Sequence, residues 1–370
     1  MLFTILLFSV ACKEQANHLG SQIAEKTLFD TDSLLCFTLQ MNLKEVLTDI
    51  GENRKYHEAI LFLDGISGQK KLHVQVKTRG NFRRDADICN FPLLSIQFDS
   101  FNTSETPFQF PSQNILKLVT HCQQDDAIYE QMILEEYAIY KTYQLLTDKS
   151  LKVRLLKIKY QDLQNMAYST EKLAFVIENT KAMAARIGGD ILRNKDENKA
   201  QDKDKDKNKN KNKDKNKDKN NKDSTQYLDC NSFLMTQTAV FQFMIGNTDW
   251  SISNKHNIYI LKIPNQNPIA VPYDFDCSGL IDAPYAEPTP ELGIENVTTR
   301  LYRGYYQSDA ELYLVLDNFK TKKQAIDSLW ATLTYHDAKR RQKAENYIAD
   351  FYKIIQNKDS IQHYFLKKYR

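Results

Sequence analysis

Three carboxylates and two carboxamides are spaced along residues 247–281 in a way that could hold a cation. Asp249, Asn254 and Asn257 lie in one polar stretch, and Asp274 and Asp276 lie in another. Between them run the apolar Ile258-Tyr259-Ile260-Leu261, a turn from Pro264 to Pro268, and the apolar Ile269-Ala270-Val271-Pro272. Two strands joined by such a turn form an antiparallel hairpin, which brings both polar loops to one end. Oxygen donors of this kind suit Mg²⁺, Mn²⁺ or Ca²⁺, and a cation that holds phosphates is a common use. Asp, Asn and Ser beside strands also serve as turn formers. The pairing across the hairpin, more than the residue types, therefore carries the reading.

Other elements must position these groups. A strongly apolar helix over Ser232–Ile245 feeds directly into Gly246-Asn247-Thr248-Asp249. Upstream, Leu72–Thr78 alternates apolar and polar residues, as a strand with one buried face does. It delivers Arg79-Gly80-Asn81-Phe82-Arg83-Arg84 to a loop. Ile115–Thr120 is a strand with one lysine, Lys117, in apolar company. Ile128–Leu146 is an amphipathic helix carrying Glu135 and Glu136, which are adjacent, so only one can face a site. Further strands are expected at Leu34–Leu39, His57–Leu63, Phe91–Phe98, Val153–Tyr160 and Ala174–Ile177. Helices are expected at Thr180–Ile187, Asp309–Asn318, Lys322–Leu333 and Asp337–Ile355. The first half is strand-rich and the second helix-rich, an α+β chain.

In chain order, a strand lysine, a helix glutamate, an aspartate loop and an Asp-x-Asp segment follow the part order of a kinase-type phosphoryl-transfer site. Asp249 and Asn254 also show the Asp-x-x-x-x-Asn spacing of a catalytic loop. Lys255-His256-Asn257-Ile258-Tyr259-Ile260-Leu261 and Val271-Pro272-Tyr273-Asp274-Phe275-Asp276-Cys277-Ser278-Gly279 resemble the spore-coat-protein-H-like (CotH-like) atypical protein kinases, as does Arg79-Gly80-Asn81. The chain is also similar to uncharacterised exported lipoproteins of Bacteroidetes-type bacteria. The resemblance spans residues 70–280.

The resemblance implies an atypical-kinase-like two-lobed fold and transfer of phosphate from ATP, or another nucleotide, to Ser or Thr of exported proteins, with Mg²⁺ or Mn²⁺. Asp274 would be the metal aspartate and Asp276 its neighbour. Asn257 or Asn254 would be the metal amide, and Asp249 the catalytic carboxylate. Arg79 would face the phosphates. The family's pattern is broken after Asn81: Phe82-Arg83-Arg84 follows, and Cys89-Asn90-Phe91-Pro92 stands where its lysines would be. Lys117 is therefore the expected nucleotide lysine, held by Glu135 or Glu136, with Lys77 in reserve.

Composition bounds the alternatives. With 42% hydrophobic residues over 370, the chain can bury a sizeable core. Its net charge of +3 leaves no electrostatic footprint for nucleic acid. Residues 1–11 read as the apolar core of a signal peptide, followed by Cys12, which resembles a lipidated cysteine, and a polar tether over 12–31. Plain secretory cleavage after Ala11 is the other reading, and both place the protein in the cell envelope or outside it. Residues 194–223 are a Lys/Asp/Asn-rich run expected to be a disordered insertion in the domain 32–370. Export permits disulfides, and Cys89 with Cys122 is the preferred pair. No Cys-x-x-Cys occurs, which argues against structural zinc. His256 is expected to hydrogen-bond structurally, and Arg300 and Arg303 to meet either an anion or solvent. Two rivals stay open: a non-catalytic envelope protein or pseudokinase, and a metal-dependent hydrolase.

Overall fold

The computed structural model describes residues 28–65, 68–99, 106–108, 114–192, 229–305 and 308–366. The expected signal peptide 1–11, Cys12, the tether up to residue 27 and the insertion 194–223 lie outside the described residues.

Period-two alternation in the first half produces a barrel. Strand β1 (Leu35–Met41) is followed by a short helix α1 (Leu43–Thr48), then β2 (His57–Gly65), β3 (Gly68–Thr78), β4 (Leu94–Phe98) and β5 (Ile115–Val119). Each strand pairs antiparallel with the next. The long helix α2 (Ala127–Leu146) then leads to β6 (Val153–Asp162) and β7 (Ser169–Ile177). β7 lies between β5 and β6, and β6 runs parallel to β1, Leu35 opposite Leu156, so the seven strands close. Phe37, Leu39, Leu61, Val74, Ile96, Leu118, Ile158 and Val176 fill the interior. Arg154 sits buried at one end, donating to the carbonyls of Ser33 and Leu28, both at 3.0 Å. Leu28 is itself buried, so the described end of the expected tether packs onto the barrel.

This closed barrel overturns the expected two-lobed kinase-like fold. Only the coarse α+β mixture survives. The decisive joint pairs β1 with a strand about 120 residues later, and local periodicity holds no information about that register.

The outward face of the barrel builds a second core. Val119, Val153, Leu155, Leu173 and Phe175 pack with α2 against the helical half. That half contains α3 (Thr180–Ile187), stopped by Gly188 at φ +82°, and the short β8 (Asp190–Ile191). It continues with α4 (Ser232–Ile245), the hairpin β9 (Ile258–Lys262) and β10 (Ile269–Pro272), and α5 (Asp309–Ala331), α6 (Ala338–Gln356) and α7 (Lys358–Ile361). The two helices expected over 309–333 are one. No Gly or Pro interrupts Asn318–Lys322, and Phe319 is fully buried against Phe351 at 5.4 Å, which gives the helix no reason to break. No helix among the described residues is long and apolar enough to cross a membrane.

Cys89 and Cys122 form a disulfide with Cα atoms 4.6 Å apart. It ties the loop after β3, which carries Arg79, Arg83 and Arg84, to the end of β5. Residues 33 apart are joined. Cys89→Ser is expected to lower stability by about 3–4 kcal/mol, the loop-closure value for this separation. Denaturant melts of this variant and the wild type, both without reductant, measure it, and coincident curves would refute it.

Candidate functional site

The hairpin register pairs Ile258 with Pro272 and Leu261 with Ile269, so both polar loops emerge at the same end. α4 delivers the first loop. Its last turn is capped by Gly246 at φ +66°, where a Cβ would meet the Tyr347 hydroxyl at 2.0 Å, so only glycine fits. Asn247 Oδ1 then accepts the Asp249 N–H at 3.0 Å. Asp249 is held from two sides: His256 Nε2 lies 2.7 Å from Oδ1, and Asn257 Nδ2 donates to Oδ2 at 2.9 Å. Asn257 Nδ2 also donates to the Asp249 carbonyl at 2.8 Å. Asn257 is buried with φ +52°, a conformation asparagine tolerates. Of the two candidate amides, only Asn257 meets Asp249. Asn254 sits exposed on the intervening turn, its backbone N–H on Ser251 Oγ.

Three contacts fix the second loop. The Asp274 N–H donates to the Tyr140 hydroxyl at 2.9 Å. Phe275 is fully buried against Tyr140 and Phe241, and its N–H donates to Glu136. Asp276 Oδ2 receives Arg83 Nη2 at 2.6 Å, Arg83 Nε at 3.1 Å and the Tyr285 hydroxyl at 3.1 Å. The same guanidinium stands 3.7 Å from Glu136. Asp276, expected beside the metal aspartate Asp274, thus has one carboxylate oxygen taken up by Arg83 and Tyr285.

What is left over is Asp274. Its φ is +62°, which turns the side chain out of the line of its neighbours. The residue is exposed to solvent, though neighbouring protein takes part of the carboxylate's hydration. It makes no hydrogen bond or ion pair among the described residues. Burial, and then the charge of Asp276, push its carboxyl up to about 6, against the pull of Arg83 and Arg79. Burial raises Glu136 to about 8, with Asp276 and Asp274 adding to it and Arg83 opposing. Burial would raise Asp276 too, but Arg83 and the Tyr285 hydroxyl overcome it and hold that carboxyl low.

The cationic wall comes from the barrel. Arg79 donates to the Leu118 carbonyl at 2.6 Å and the Leu94 carbonyl at 3.2 Å, and lies within electrostatic reach of Asp274. Burial lowers its pKa to about 10, which leaves it charged at neutral pH. Lys117 stands on the outer face of β5, opposite Ser95 and Ile177. Burial, and then neighbouring Arg79, lower its pKa. It makes no ion pair or hydrogen bond among the described residues. The helix glutamates do not hold it. Glu135 turns the other way, to His336 at 3.0 Å and Arg340 at 2.9 Å, and Glu136 faces Arg83 and Phe275. Lys77 lies over the Tyr56 ring. Arg300 donates to the Met244 carbonyl and packs 3.6 Å from the centre of the Tyr347 ring, which gives it a structural role.

Sequence reasoning missed Arg83. The available signal was a second arginine in the loop that also carries Arg79, fastened by the disulfide.

No group of three or more His, Cys, Asp or Glu among the described residues could hold a metal ion by itself. A cation that also binds phosphate oxygens needs only one or two protein carboxylates, and the unpaired, crowded charge of Asp274 fits that use. No protein-family model matches the chain, and no curated protein matches it significantly. The kinase-type resemblance rests on its own motifs.

Glu136 keeps its proton in the folded protein at a pH where the unfolded chain has lost it. Native protein then binds more protons than unfolded, so this group makes stability fall as pH rises from about 4.5 to about 8. Glu136→Gln imitates the protonated form. Its melting temperature is expected to exceed that of the wild type at pH 8 and to converge with it near pH 5. Parallel curves across that range would show that Glu136 is ionised in the fold.

Proposed function

We propose that this protein is a divalent-metal-dependent phosphotransferase that moves a phosphoryl group from ATP, or another nucleotide, to a Ser or Thr hydroxyl of an exported protein. The observation that carries the reading is Asp274: a carboxylate with no hydrogen bond or ion pair among the described residues, within electrostatic reach of Arg79 and Asp249, while Asp276 beside it is bonded to Arg83 and Tyr285. A metal–phosphate group matches both this open carboxylate and the arginine charge beside it.

In this reading Asp274 would hold the metal, with Asn257, whose backbone carbonyl accepts the Tyr273 N–H, as the candidate amide. When bound, the ion would neutralise charge on the phosphates and orient them. Arg79 and Lys117 would take the phosphate oxygens from the barrel side, where Arg79's anchorage on two carbonyls presets its direction. Asp249, steered by His256 and Asn257, would accept or orient the proton of the attacking hydroxyl.

A second reading has its own support. Arg83 neutralises Asp276 so fully that the segment resembles a site retained for binding alone, as in a pseudokinase or a non-catalytic envelope protein.

Nucleotide binding by the purified protein, with and without Mg²⁺ or Mn²⁺, tests the proposal. Asp274→Asn is the proper variant, because asparagine keeps the left-handed backbone that alanine would strain. The wild type is expected to bind with metal dependence, and the variant to lose about tenfold or more in metal-supported affinity. Binding by neither protein removes the nucleotide reading. Binding by the wild type without transfer to any protein hydroxyl selects the second reading.

A further inference from the structure

We infer that Arg303 is a positioning residue for Asp249, acting on the backbone that carries it. The inference rests on the proposed phosphoryl transfer, in which Asp249 handles the acceptor proton. Three successive peptide carbonyls surround that side chain. Those of Thr248 and Trp250 both accept from a single nitrogen, Nη1 of Arg303, the second at 2.7 Å. The one between them, on Asp249 itself, accepts from Asn257. Loop backbones seldom have every carbonyl tied in such a run, because loops usually leave theirs to water. Here the peptide planes on either side of Asp249 are fixed by one rigid, planar group, which spans two acceptors in a way a lysine's flexible ammonium matches poorly.

The arginine is itself held in place. Its guanidinium lies 5.8 Å from the Trp250 ring centre, and Trp250 is buried. Tyr302, one residue earlier, is buried against Phe243 and Phe365. Gly304, one residue later, has room for no side chain: a Cβ there would lie 2.3 Å from the Tyr302 hydroxyl and 2.8 Å from Ala239. The segment is therefore seated on α4, the helix that delivers Asp249. Arg303 is also within electrostatic reach of the Asp249 carboxylate, so the clamp supplies favourable charge as well as geometry.

A group of this kind affects how Asp249 is aimed and leaves nucleotide and metal, on Arg79, Lys117 and Asp274, where they were. That separates it from a residue that merely stabilises the fold. Arg303→Met and Arg303→Lys in the full chain test it by two readouts. Amide hydrogen exchange over 247–257 is expected to quicken in Arg303→Met, with 273–279 unchanged. Phosphotransfer is expected to lose about a hundredfold in kcat while nucleotide KM stays within about twofold, misaiming of a reacting group costing this much; Arg303→Lys should recover part of it. Unchanged exchange over 247–257 overturns the clamp whatever the kinetics show. Faster exchange with kcat unchanged, in an active wild type, overturns its link to the reaction alone. A wild type with no transfer overturns the phosphotransferase reading, and with it any role of Arg303 in transfer.

Discussion

One guanidinium joins the two halves of this molecule. Arg83 leaves the barrel on the loop after β3 and meets Asp276, 193 residues later, while standing beside Glu136 of α2. A buried cation requires carboxylates, and buried carboxylates require a cation, so neither side can shift without exposing an unpaired charge in a place water cannot easily reach. The disulfide fixes the loop that carries Arg83, Phe275 anchors the segment that carries Asp276, and Tyr285 completes the donor set on the acid.

The same interaction sorts the acids around it. Three carboxylates crowd the Arg83 guanidinium, and with Arg79 tied to backbone carbonyls beside them, they share that charge unequally. Asp276 takes the direct bonds. Glu136, sealed in the interior, retains its proton. Asp274 is turned outward by its left-handed backbone and is left charged and open to solvent. What makes Asp274 available is thus less its own surroundings than the way its neighbours have been disposed of.

Much of this was legible in the residues. The apolar run Ser232–Ile245 forms a helix with those ends, because Asn231 caps its start and Gly246 its finish. The hairpin follows from its two apolar runs and the Pro264–Pro268 turn, and with it the meeting of the 249 and 274 loops. Partners distant in sequence were not legible. Whether Glu135 or Glu136 faces the hairpin depends on His336 and Arg340, which claim the first, and nothing local to α2 reveals that. Arg83 was announced only by its place in the loop that carries Arg79, a weak sign, since a loop arginine ordinarily faces water. The barrel was hidden for the same reason: each strand shows its own period, but none shows which distant strand lies beside it.

The barrel's closure carries a consequence of simple parity. Neighbouring strands that run in opposite directions can alternate around a ring only if their number is even. With seven, one joint must join strands of the same direction, and it falls between β1 and β6. An antiparallel pair can be made by a short turn, but a parallel one cannot. The second edge of the first strand therefore pairs only with the sixth, with α2 and the arginine loop lying between them in sequence. Of all the ring's joints this one spans the longest stretch of chain, so it carries the largest loop-closure cost.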